Sequence, residues 1–537
     1  MQDRQGMQDR QGMQDRQDMQ DMQGMQGRQA RWRIVANPVA HFMASLLERT
    51  LLAVYGGLWR VARPLLRRHK RLRDAFDMRL VPENWSSQAD IWMQAASGGE
   101  AYLAWEWLKA LLRLHESESP VHVGMPRRIL LTSCTRQGLD VLHEAAQWAE
   151  EQCARQGVEL SIAVQVFPLD EPRLMRRAVR MVSPRTVVLL ETELWPSLMA
   201  ACRKASVPVT VLNGRMSPRS FGAYYLLRPF WQALAPRHMT AISHDDAMRF
   251  SMLFGADVDV VANMKFDRLL SEHGTDDEHG PQADVNVPTD ISAQGHESKD
   301  ASIDALLPKG KRILLGSVRE EEEVLLVAAI CQLVQSYQSY QSYQSYQSTQ
   351  DLDTEAALTI IIAPRHMHRV TAWQEHLSRV GLPAVLRSGL IQREQWAQKE
   401  KEAQQATPTI IIWDTFGELG ALYGLVHAVF VGGSLMPLGG QNFLEPLGKG
   451  LVPCVGPYLD NFAWVEPESL KYAELLRIVR TDTELAEALF DGLDAHPNCI
   501  QESATSSAIR DRFHAWLEPR CGGAKASVAI IRNMLAQ

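Results

Sequence analysis

Two glycine pairs in the second half of the chain have the spacing of a phosphate-binding turn. Gly432-Gly433-Ser434 follows the apolar run His427 to Val431, and Gly439-Gly440 opens a segment that carries Asn442 and Glu445. A strand that ends in glycines before a helix leaves backbone N–H groups exposed, and the positive end of the helix dipole favours an anion there. We expect a phosphate at this turn and a ribose bonded to Glu445, one turn into the helix. A bare GGS also suits an ordinary turn.

Carboxylates that could serve as a general base follow two apolar runs in the first half of the chain. Glu100 closes the tetrapeptide SGGE, and Glu191 and Glu193 stand in the run LLETELWP. A carboxylate on a glycine-flanked loop can approach a hydroxyl group closely, and general-base assistance contributes about 10²- to 10⁴-fold in rate. A glutamate is also common in the first turn of a helix, where it interacts with the helix dipole. For Glu191 and Glu193 the alternative is an exposed loop with Trp195 packed beneath it.

The elements that must position these residues are predicted from apolar runs of strand length that alternate with segments of helix length. The first series comprises Ile91 to Ala95, Arg128 to Leu131, Ile162 to Val166, Thr186 to Leu190 and Val207 to Leu212. The second series comprises Arg312 to Gly316, Thr359 to Ala363, Thr409 to Trp413 and His427 to Val431. Such alternation builds parallel sheets, whose ligands gather at the carboxyl ends of the strands. We expect the α/β class, with two Rossmann-like domains facing across a cleft.

The composition suits a globular protein of several domains. The 537 residues are 46% hydrophobic, and 56 basic against 63 acidic residues give a formal charge of −7, so no general attraction to nucleic acid is expected. Seven dispersed cysteines without a CxxC pair argue against a disulfide framework and a zinc site. We expect a disordered tract at 1–30, an N-terminal domain at 76–270, a disordered linker at 271–308, and a C-terminal domain at 309–537 that contains the QSY repeat of 335–350.

Residues 31–75 have the pattern of a helix that lies on a membrane surface. Charges interrupt the apolar stretch Ile34 to Trp59, so it is too short to predict a membrane span. A dense basic run follows between Arg60 and Arg73. An apolar helix with a cationic end is typical of a monotopic anchor on an anionic cytoplasmic leaflet. The alternative is a helix docked on its own protein.

Seven blocks of the sequence resemble, in order, the Kdo transferases of lipopolysaccharide synthesis, which move 3-deoxy-D-manno-oct-2-ulosonic acid (Kdo) from CMP-Kdo to a lipid A precursor. The blocks are IWMQAASGGE (91–100), ETELWP (191–196), VLNGRMSPRS (211–220), NMKFD (263–267), APRHMHR (363–369), DTFGELGALY (414–423) and GGQNFLEPLGKGLVPCVGP (439–457). The resemblance implies the two-domain glycosyltransferase B architecture and an N-terminal membrane-associated helix at the cytoplasmic face of the inner membrane.

The resemblance also implies roles for the matching positions. Glu100 resembles the catalytic base, and Glu191 and Lys265 resemble the residues that stabilise the transition state. The positions that resemble the CMP-binding residues are Pro364, Arg365, Thr415, Phe416, Gly417, Asn442, Phe443, Leu444 and Glu445. The implied donor is CMP-Kdo, the implied acceptor is a lipid A precursor of lipid IVA type, and the implied transfer is inverting.

The sequence carries no carboxylate constellation of the DxD kind, so we predict a reaction without a metal or other cofactor. Arg365 can pair bidentately with a phosphate, and the Gly432-Gly433 turn can supply N–H donors. These groups suit a leaving group that has a single phosphate. Arg215 and Arg219 are candidates for contacts with the anionic lipid head group.

Three positions depart from the family pattern. Gln94 stands where His is common, Gly99 stands where Val is common, and Gln441 replaces the His of a GGHN block. Glutamine cannot become cationic, so it cannot take over a charge role at 94 or 441. Two alternatives stay open. One is a UDP-sugar transferase or epimerase of the same architecture, and the other is a catalytically silent nucleotide-binding scaffold.

Overall fold

The structure, a computed structural model, describes most of the chain outside the N-terminal tract. The described residues are 38–68, 75–117, 125–273, 303–347, 357–390, 408–495 and 503–536. The disordered tract predicted at 1–30 therefore lies outside the described residues. The same holds for most of the linker predicted at 271–308, and for the part of the basic run that contains Lys70, Arg71 and Arg73.

Two parallel sheets of seven strands form the framework among the described residues. The first sheet has the order β3-β2-β1-β4-β5-β6-β7 and consists of β1 (Ile91–Ala95), β2 (Arg128–Ser133), β3 (Ser161–Val166), β4 (Thr186–Leu190), β5 (Val209–Gly214), β6 (His238–Ala241) and β7 (Asp259–Val260). The second has the order β10-β11-β9-β8-β12-β13-β14 and consists of β8 (Lys311–Val318), β9 (Leu358–Pro364), β10 (Ala384–Leu386), β11 (Thr409–Ile412), β12 (Ala428–Val431), β13 (Cys454–Val455) and β14 (Arg477–Ile478). The prediction of two parallel-sheet α/β domains is confirmed.

Burial explains why the apolar runs form central strands. Every residue of β1, β4, β9 and β12 is buried. Strands of a parallel sheet are covered on both faces, so they appear in sequence as continuous hydrophobic runs. In the second sheet, apolar clusters that include Leu314 and Ile361 on one side and Ile313 and Ile360 on the other show the alternation of side chains between two cores.

Helices connect the strands and cover the sheets. They are α1 (Pro38–Leu66), α2 (Gly98–Ser117), α3 (Arg136–Gln156), α4 (Pro172–Val182), α5 (Pro196–Lys204), α6 (Pro218–Tyr225), α7 (Arg228–Ala233), α8 (His244–Phe254), α9 (Met264–His273), α10 (Glu323–Gln347), α11 (Val370–Arg379), α12 (Leu419–Tyr423), α13 (Leu444–Gly448), α14 (Pro467–Tyr472), α15 (Asp482–Ala495), α16 (Ala504–Leu517) and α17 (Gly523–Ala536). The QSY repeat continues α10 as far as Gln347, with Tyr337 buried and Tyr340 against Phe490 at a ring distance of 5.9 Å.

The chain folds into two compact units, which are not simple consecutive halves. The first unit comprises the described residues of 1–96, 125–135 and 153–260 and contains the first sheet. The second comprises the described residues of 97–124, 136–152 and 261–537 and contains the second sheet. Within the second unit, α2 packs against α9 and the C-terminal helix α17.

Helix α1 packs on the first unit through one face. It contacts α4 and α7, and Tyr55 lies near Asp170, a buried carboxylate whose pKa is raised to about 7 by its burial. The opposite face leaves Val54, Leu58 and Val61 exposed. In the part of the chain that the structure describes, no helix has the length and apolar character needed to cross a membrane.

Candidate functional site

The expected nucleotide-binding residues follow three strands of the second sheet. Pro364 ends β9 and Arg365 follows it, the segment Thr415 to Gly417 comes shortly after β11, and the segment Asn442 to Glu445 comes after β12. All strands of this sheet are parallel, so these segments leave it at the same edge. The strand order reverses between β8 and β12, and such a switch point is where open α/β sheets bind ligands.

Glu322 occupies the glycine turn at this switch point. Its carboxylate accepts hydrogen bonds from the backbone N–H groups of Gly433 (2.6 Å), Ser434 (2.8 Å) and Leu435 (2.9 Å). The N–H group of Arg319 adds a fourth at 3.1 Å, and Glu322 is fully buried. The prediction that this turn holds a phosphate is wrong, because an internal carboxylate already satisfies its donors.

The segment that contains Asn442 and Glu445 is built differently from the strand-to-helix turn expected from the sequence. Twelve residues, 432–443, separate β12 from α13. Helix α13 has only five residues, so its dipole is weak, and Glu445 is its second residue. Asn442 Nδ2 donates to Glu445 Oε1 at 2.6 Å, and Asn442 Oδ1 accepts from the Leu444 N–H at 3.2 Å. Phe443 and Leu444 are buried in the core, so they hold the segment rather than present polar atoms.

Glu418 organises the loop that contains Thr415, Phe416 and Gly417. Its carboxylate accepts hydrogen bonds from Thr415 Oγ1 (2.7 Å) and Trp413 Nε1 (3.0 Å), and it forms a bidentate ion pair with Arg387 at 3.0 and 3.2 Å. Gly417 has a φ of 77°, which glycine adopts without strain. The Phe416 side chain is 60% exposed. An exposed aromatic ring on a well-anchored loop is suited to stacking on a nucleobase.

Cationic groups collect at the ends of β8 and β9. The Arg365 N–H bonds to the Val318 carbonyl at 2.9 Å, so the residue after β9 is tied to the last residue of β8. The His366 and His368 rings stack at 5.6 Å with an interplanar angle of 18°. Partial burial and the charges of Arg319, His368 and Arg365 lower the pKa of His366, against an opposing effect of Glu321. The cluster is suited to an anionic ligand.

Glu100 lies in the first turn of α2 and is only 8% exposed. Ser97 Oγ donates to Glu100 Oε1 at 3.2 Å and accepts from the Glu100 N–H at 3.4 Å. This reciprocal pair is the arrangement of a helix N-terminus. Glu100 therefore occupies the first turn of a helix, which is the alternative that the sequence also allowed. The bond to Ser97 orients its carboxylate.

Glu191 and Glu193 interact in the turn that follows β4. Glu191 has a φ of 56°, a left-handed conformation that is unfavourable for a residue with a side chain and recurs at functional sites. Burial raises the pKa of Glu193 to about 7, with a further contribution from the Glu191 charge and an opposing hydrogen bond from Trp195. The two glutamates therefore lie in a turn rather than in a continuation of the strand.

The block NMKFD joins α9 to the C-terminal helices. Lys265 Nζ lies 5.6 Å from the centre of the Trp464 ring. Phe266 packs against Trp464, and the Asp267 carboxylate accepts hydrogen bonds from the N–H groups that open α17. The segment therefore has a clear structural role, and the aromatic ring fixes the position of the Lys265 ammonium group.

The three departures from the family pattern are each accommodated. Gln94 is fully buried, where it accepts from Thr132 Oγ1 at 2.6 Å and donates to Cys134 Sγ at 3.4 Å. A Cβ at Gly99 would meet only Ser97 Oγ, at 3.9 Å, so a larger residue would fit there. The Gln441 N–H bonds to the Gly432 carbonyl at 3.1 Å.

Some residues of the site are missed by sequence reasoning. Glu418 and His368 stand inside quoted blocks without an assigned role, and Glu322 has no motif, although the acidic run Glu320 to Glu323 is visible as a helix start. The structure places Arg219 on the exposed start of α6 and leaves Arg215 half-buried after β5. Among the described residues, no group of three or more His, Cys, Asp or Glu side chains is arranged to hold a metal ion.

The sequence comparisons with known proteins point to the same family of transferases. The family model described as 3-deoxy-D-manno-octulosonic-acid transferase (kdotransferase) matches residues 67–268. A 3-deoxy-D-manno-octulosonic acid transferase of Bordetella pertussis is 26% identical over 452 residues, which cover 83% of this chain and 88% of that protein. A probable mitochondrial 3-deoxy-D-manno-octulosonic acid transferase of Arabidopsis thaliana is 24% identical over 430 residues, which cover 78% and 80%.

Similarity to solved structures is weaker. The C-terminal CMP-Kdo binding domain of WaaA from Acinetobacter baumannii is 21% identical and has a TM-score of 0.31, and the alignment covers 42% of this chain and 99% of that domain. A TM-score at this level carries no argument on its own.

Proposed function

We propose that the chain is a member of the 3-deoxy-D-manno-octulosonic acid (Kdo) transferase family, to whose model and curated members it is similar, and that it transfers Kdo from CMP-Kdo to a lipid A precursor of lipid IVA type. The observation that supports the proposal most directly is that the segments containing Arg365, Thr415 and Glu445 leave the second sheet at the same edge. These segments supply a cation, a hydroxyl group and a carboxylate, which are the groups that a cytidine monophosphate requires.

In the proposed reaction, Glu100 removes the proton of the acceptor hydroxyl as the oxygen attacks the anomeric carbon of Kdo. The bond from that carbon to the phosphate oxygen breaks, and CMP leaves with the bonding electron pair. Attack opposite to the leaving group inverts the configuration. Its burial and its bond to Ser97 keep the Glu100 carboxylate oriented, which is the requirement for general-base catalysis.

Charge on the leaving phosphate is balanced by cationic side chains in this proposal. Arg365 and the neighbouring histidines bind the phosphate by donating hydrogen bonds to its oxygens, and Glu445 orients the ribose. Lys265 and Glu191 keep the roles that the family resemblance implies, which are to stabilise charge in the transition state. We further propose that the reaction needs no metal, because phosphate charge can be balanced by these side chains alone.

The decisive experiment incubates the full-length protein with CMP-Kdo generated in situ and a tetraacyl lipid A precursor, followed by mass spectrometry of the lipid. A mass gain of one or more Kdo units is expected, with loss of the gain and retention of CMP binding in Glu100→Ala. The matched control is Glu151→Ala, which removes an exposed glutamate of α3. Lack of a gain with wild type, or competition by UDP rather than CMP, would reject the assignment. Activity that vanishes in excess chelator and returns with a divalent ion would reject the metal-free reaction.

We also propose that α1 rests on the anionic cytoplasmic face of the inner membrane. Val54, Leu58, Val61 and Leu65 are exposed at spacings of four, three and four residues, so they form one apolar stripe. The basic residues Arg60, Arg67 and Arg68 are close to this stripe in sequence, which favours anionic lipid. Flotation with vesicles containing phosphatidylglycerol is expected for wild type and not for Leu58→Glu/Val61→Glu. Equal flotation of the two proteins would reject this surface.

A further inference from the structure

The most complete anion site among the described residues already holds an anion, and that anion belongs to the protein. Four backbone N–H groups converge on the Glu322 carboxylate, at 2.6 to 3.1 Å. Backbone N–H groups in successive residues of a turn form the concave sites that bind phosphate in many proteins. In this chain the same geometry binds a side chain from the turn that opens α10.

The glycine turn held by Glu322 is bonded directly to the segment that enters the proposed donor site. The Gly440 N–H donates to the Gly433 carbonyl at 2.7 Å, and the Gln441 N–H donates to the Gly432 carbonyl at 3.1 Å. Asn442, the next residue, bonds to Glu445. These hydrogen bonds, together with the peptide bond between Gln441 and Asn442, therefore connect the Glu322 carboxylate to Glu445, the residue proposed to bind the ribose.

The other side of the turn is fixed through Ser434. Its hydroxyl donates to the Val431 carbonyl at 2.7 Å and accepts from the Gly456 N–H at 2.8 Å. A Cβ at Gly456 would lie 2.0 Å from the Ser434 carbonyl oxygen, so the two backbones are in close contact. The turn is therefore held between the Glu322 carboxylate on one side and the backbone at Gly456 on the other.

We propose that Glu322 is a positioning residue for the donor site: its carboxylate takes the place of a bound anion in the glycine turn and thereby sets the geometry of residues 439–445 before the donor arrives. This inference rests on the proposed function. A buried carboxylate that accepts four N–H bonds is pre-organised, so the donor segment needs no ordering when CMP binds, and the affinity for CMP is higher than it would be for a mobile segment.

The first test compares Glu322→Gln, Glu322→Asp and Glu322→Ala with wild type, by calorimetric CMP titration and by steady-state kinetics. The matched control is Glu487→Gln, which changes an exposed glutamate of α15. For Glu322→Gln we expect the CMP dissociation constant and the CMP-Kdo KM to rise by about tenfold or more, since a charged acceptor is lost, while the acceptor KM is unchanged. An unchanged CMP affinity in a folded Glu322→Gln protein would overturn the proposal.

Chemical rescue separates positioning from general destabilisation. Glu322→Ala leaves four N–H donors around a vacant space, so added formate is expected to restore CMP affinity, while chloride at the same ionic strength is not. A folded Glu322→Ala protein that formate does not rescue would count against the proposal. If wild type itself fails to bind CMP, the proposed function fails instead, so the two failures are distinguishable.

If the variants do not fold, amide hydrogen exchange of the wild-type protein with and without CMP can still test the proposal. Amide hydrogen exchange is expected to show residues 433–435 and the bonded amides of Gly440, Gln441 and Leu444 already protected in the free protein, with little change on CMP binding. A gain of protection at 433–435 on CMP binding would show that the nucleotide phosphate enters the turn, which would overturn the role assigned to Glu322.

Discussion

Asn442 Nδ2 lies 2.6 Å from Glu445 Oε1, and this hydrogen bond holds the carboxylate that is proposed to contact the ribose. Because Asn442 also accepts from the N–H of Leu444, its side chain bridges the loop and the first residue of α13. The Glu445 carboxylate is thereby restricted to one orientation.

The first prediction concerns the energetic coupling of this pair. Asn442→Ala and Glu445→Ala should each weaken CMP binding, but the double variant should be weaker than wild type by less than the sum of the two effects. Residues in contact typically show interaction free energies of about 0.5–3 kcal/mol in such a cycle. The measurement is calorimetric CMP titration of all four proteins.

In a matched cycle, the effects of Glu445→Ala and Arg379→Ala on CMP binding should be additive, because Arg379 pairs with Glu375 on α11. Additivity in the Asn442 and Glu445 cycle as well would show that the hydrogen bond does not contribute to nucleotide binding.

The second prediction concerns the pH dependence of CMP binding. His366 has a lowered pKa because of partial burial and the nearby Arg319, His368 and Arg365, so its protonated form is disfavoured in the free protein. A bound phosphate would raise this pKa, so CMP binding should take up a proton and tighten as the pH falls. Calorimetry in two buffers with different ionisation enthalpies measures the proton number directly.

The variant His366→Asn should abolish the proton uptake at pH 6.5, whereas His143→Asn, which changes an exposed histidine of α3, should leave it unchanged. CMP binding by wild type without any proton uptake would show that His366 does not face the phosphate.

The third prediction concerns the two carboxylates after β4. The pKa of Glu193 is raised to about 7, by burial first and by the Glu191 charge second. A group whose pKa is raised in the folded state stabilises the protein fully below its unfolded pKa, and that contribution is lost as the pH rises through the folded pKa. The free energy of unfolding should therefore fall between about pH 4.5 and pH 7 on account of Glu193.

Glu191→Gln removes one cause of the shift, so the Glu193 pKa should decrease and the fall in stability should become smaller. Glu193→Gln should remove its part of the fall altogether. Asp170 also has a raised pKa, so it contributes to the same fall in stability. The change in the free energy of unfolding between pH 5 and pH 8, measured with urea, is therefore compared between wild type and the variants. Identical pH dependence in wild type and Glu193→Gln would exclude Glu193 as a titrating group in this range.

The sequence predicts the central strands well because their burial leaves a continuous apolar run. Ile91–Ala95 and Thr186–Leu190 have the predicted bounds, and the other predicted strands differ at their ends by at most two residues. Strand β13 and the edge strand β14 have two residues each, which is too short to give a pattern. The segments after β9, β11 and β12 leave the sheet at one edge because parallel strands share one carboxyl edge, and their role in nucleotide binding stays a prediction.

The contacts that set the site are not visible in the sequence, because they join distant positions. The Glu322 carboxylate and the Gly433 N–H are 111 residues apart, and nothing in a local window distinguishes this glutamate from its acidic neighbours. A glycine turn looks the same in sequence whether it binds a phosphate or a side chain. The division into units is equally hidden, since α2 follows a strand of the first sheet but packs on α17 of the second unit.

The last prediction concerns Asp267, which follows Lys265 in the NMKFD block. Its carboxylate accepts hydrogen bonds from the N–H groups of Gly522 (2.6 Å) and Ala524 (2.9 Å), so it caps α17 from a position 255 residues away in the chain. Loss of a helix cap typically costs about 0.5–2 kcal/mol, and Asp267→Ala should lower the free energy of unfolding by about this amount. Urea unfolding followed by circular dichroism measures the change.

Asp511→Ala, which removes an exposed aspartate of α16, serves as the control and should have little effect on stability. Because α17 packs against α2, the helix that carries Glu100, amide exchange in α2 should also increase in Asp267→Ala. CMP affinity should be retained, since Asp267 is not among the proposed nucleotide contacts. A stable Asp267→Ala protein with unchanged exchange in α2 and α17 would show that the cap contributes nothing to holding these helices together.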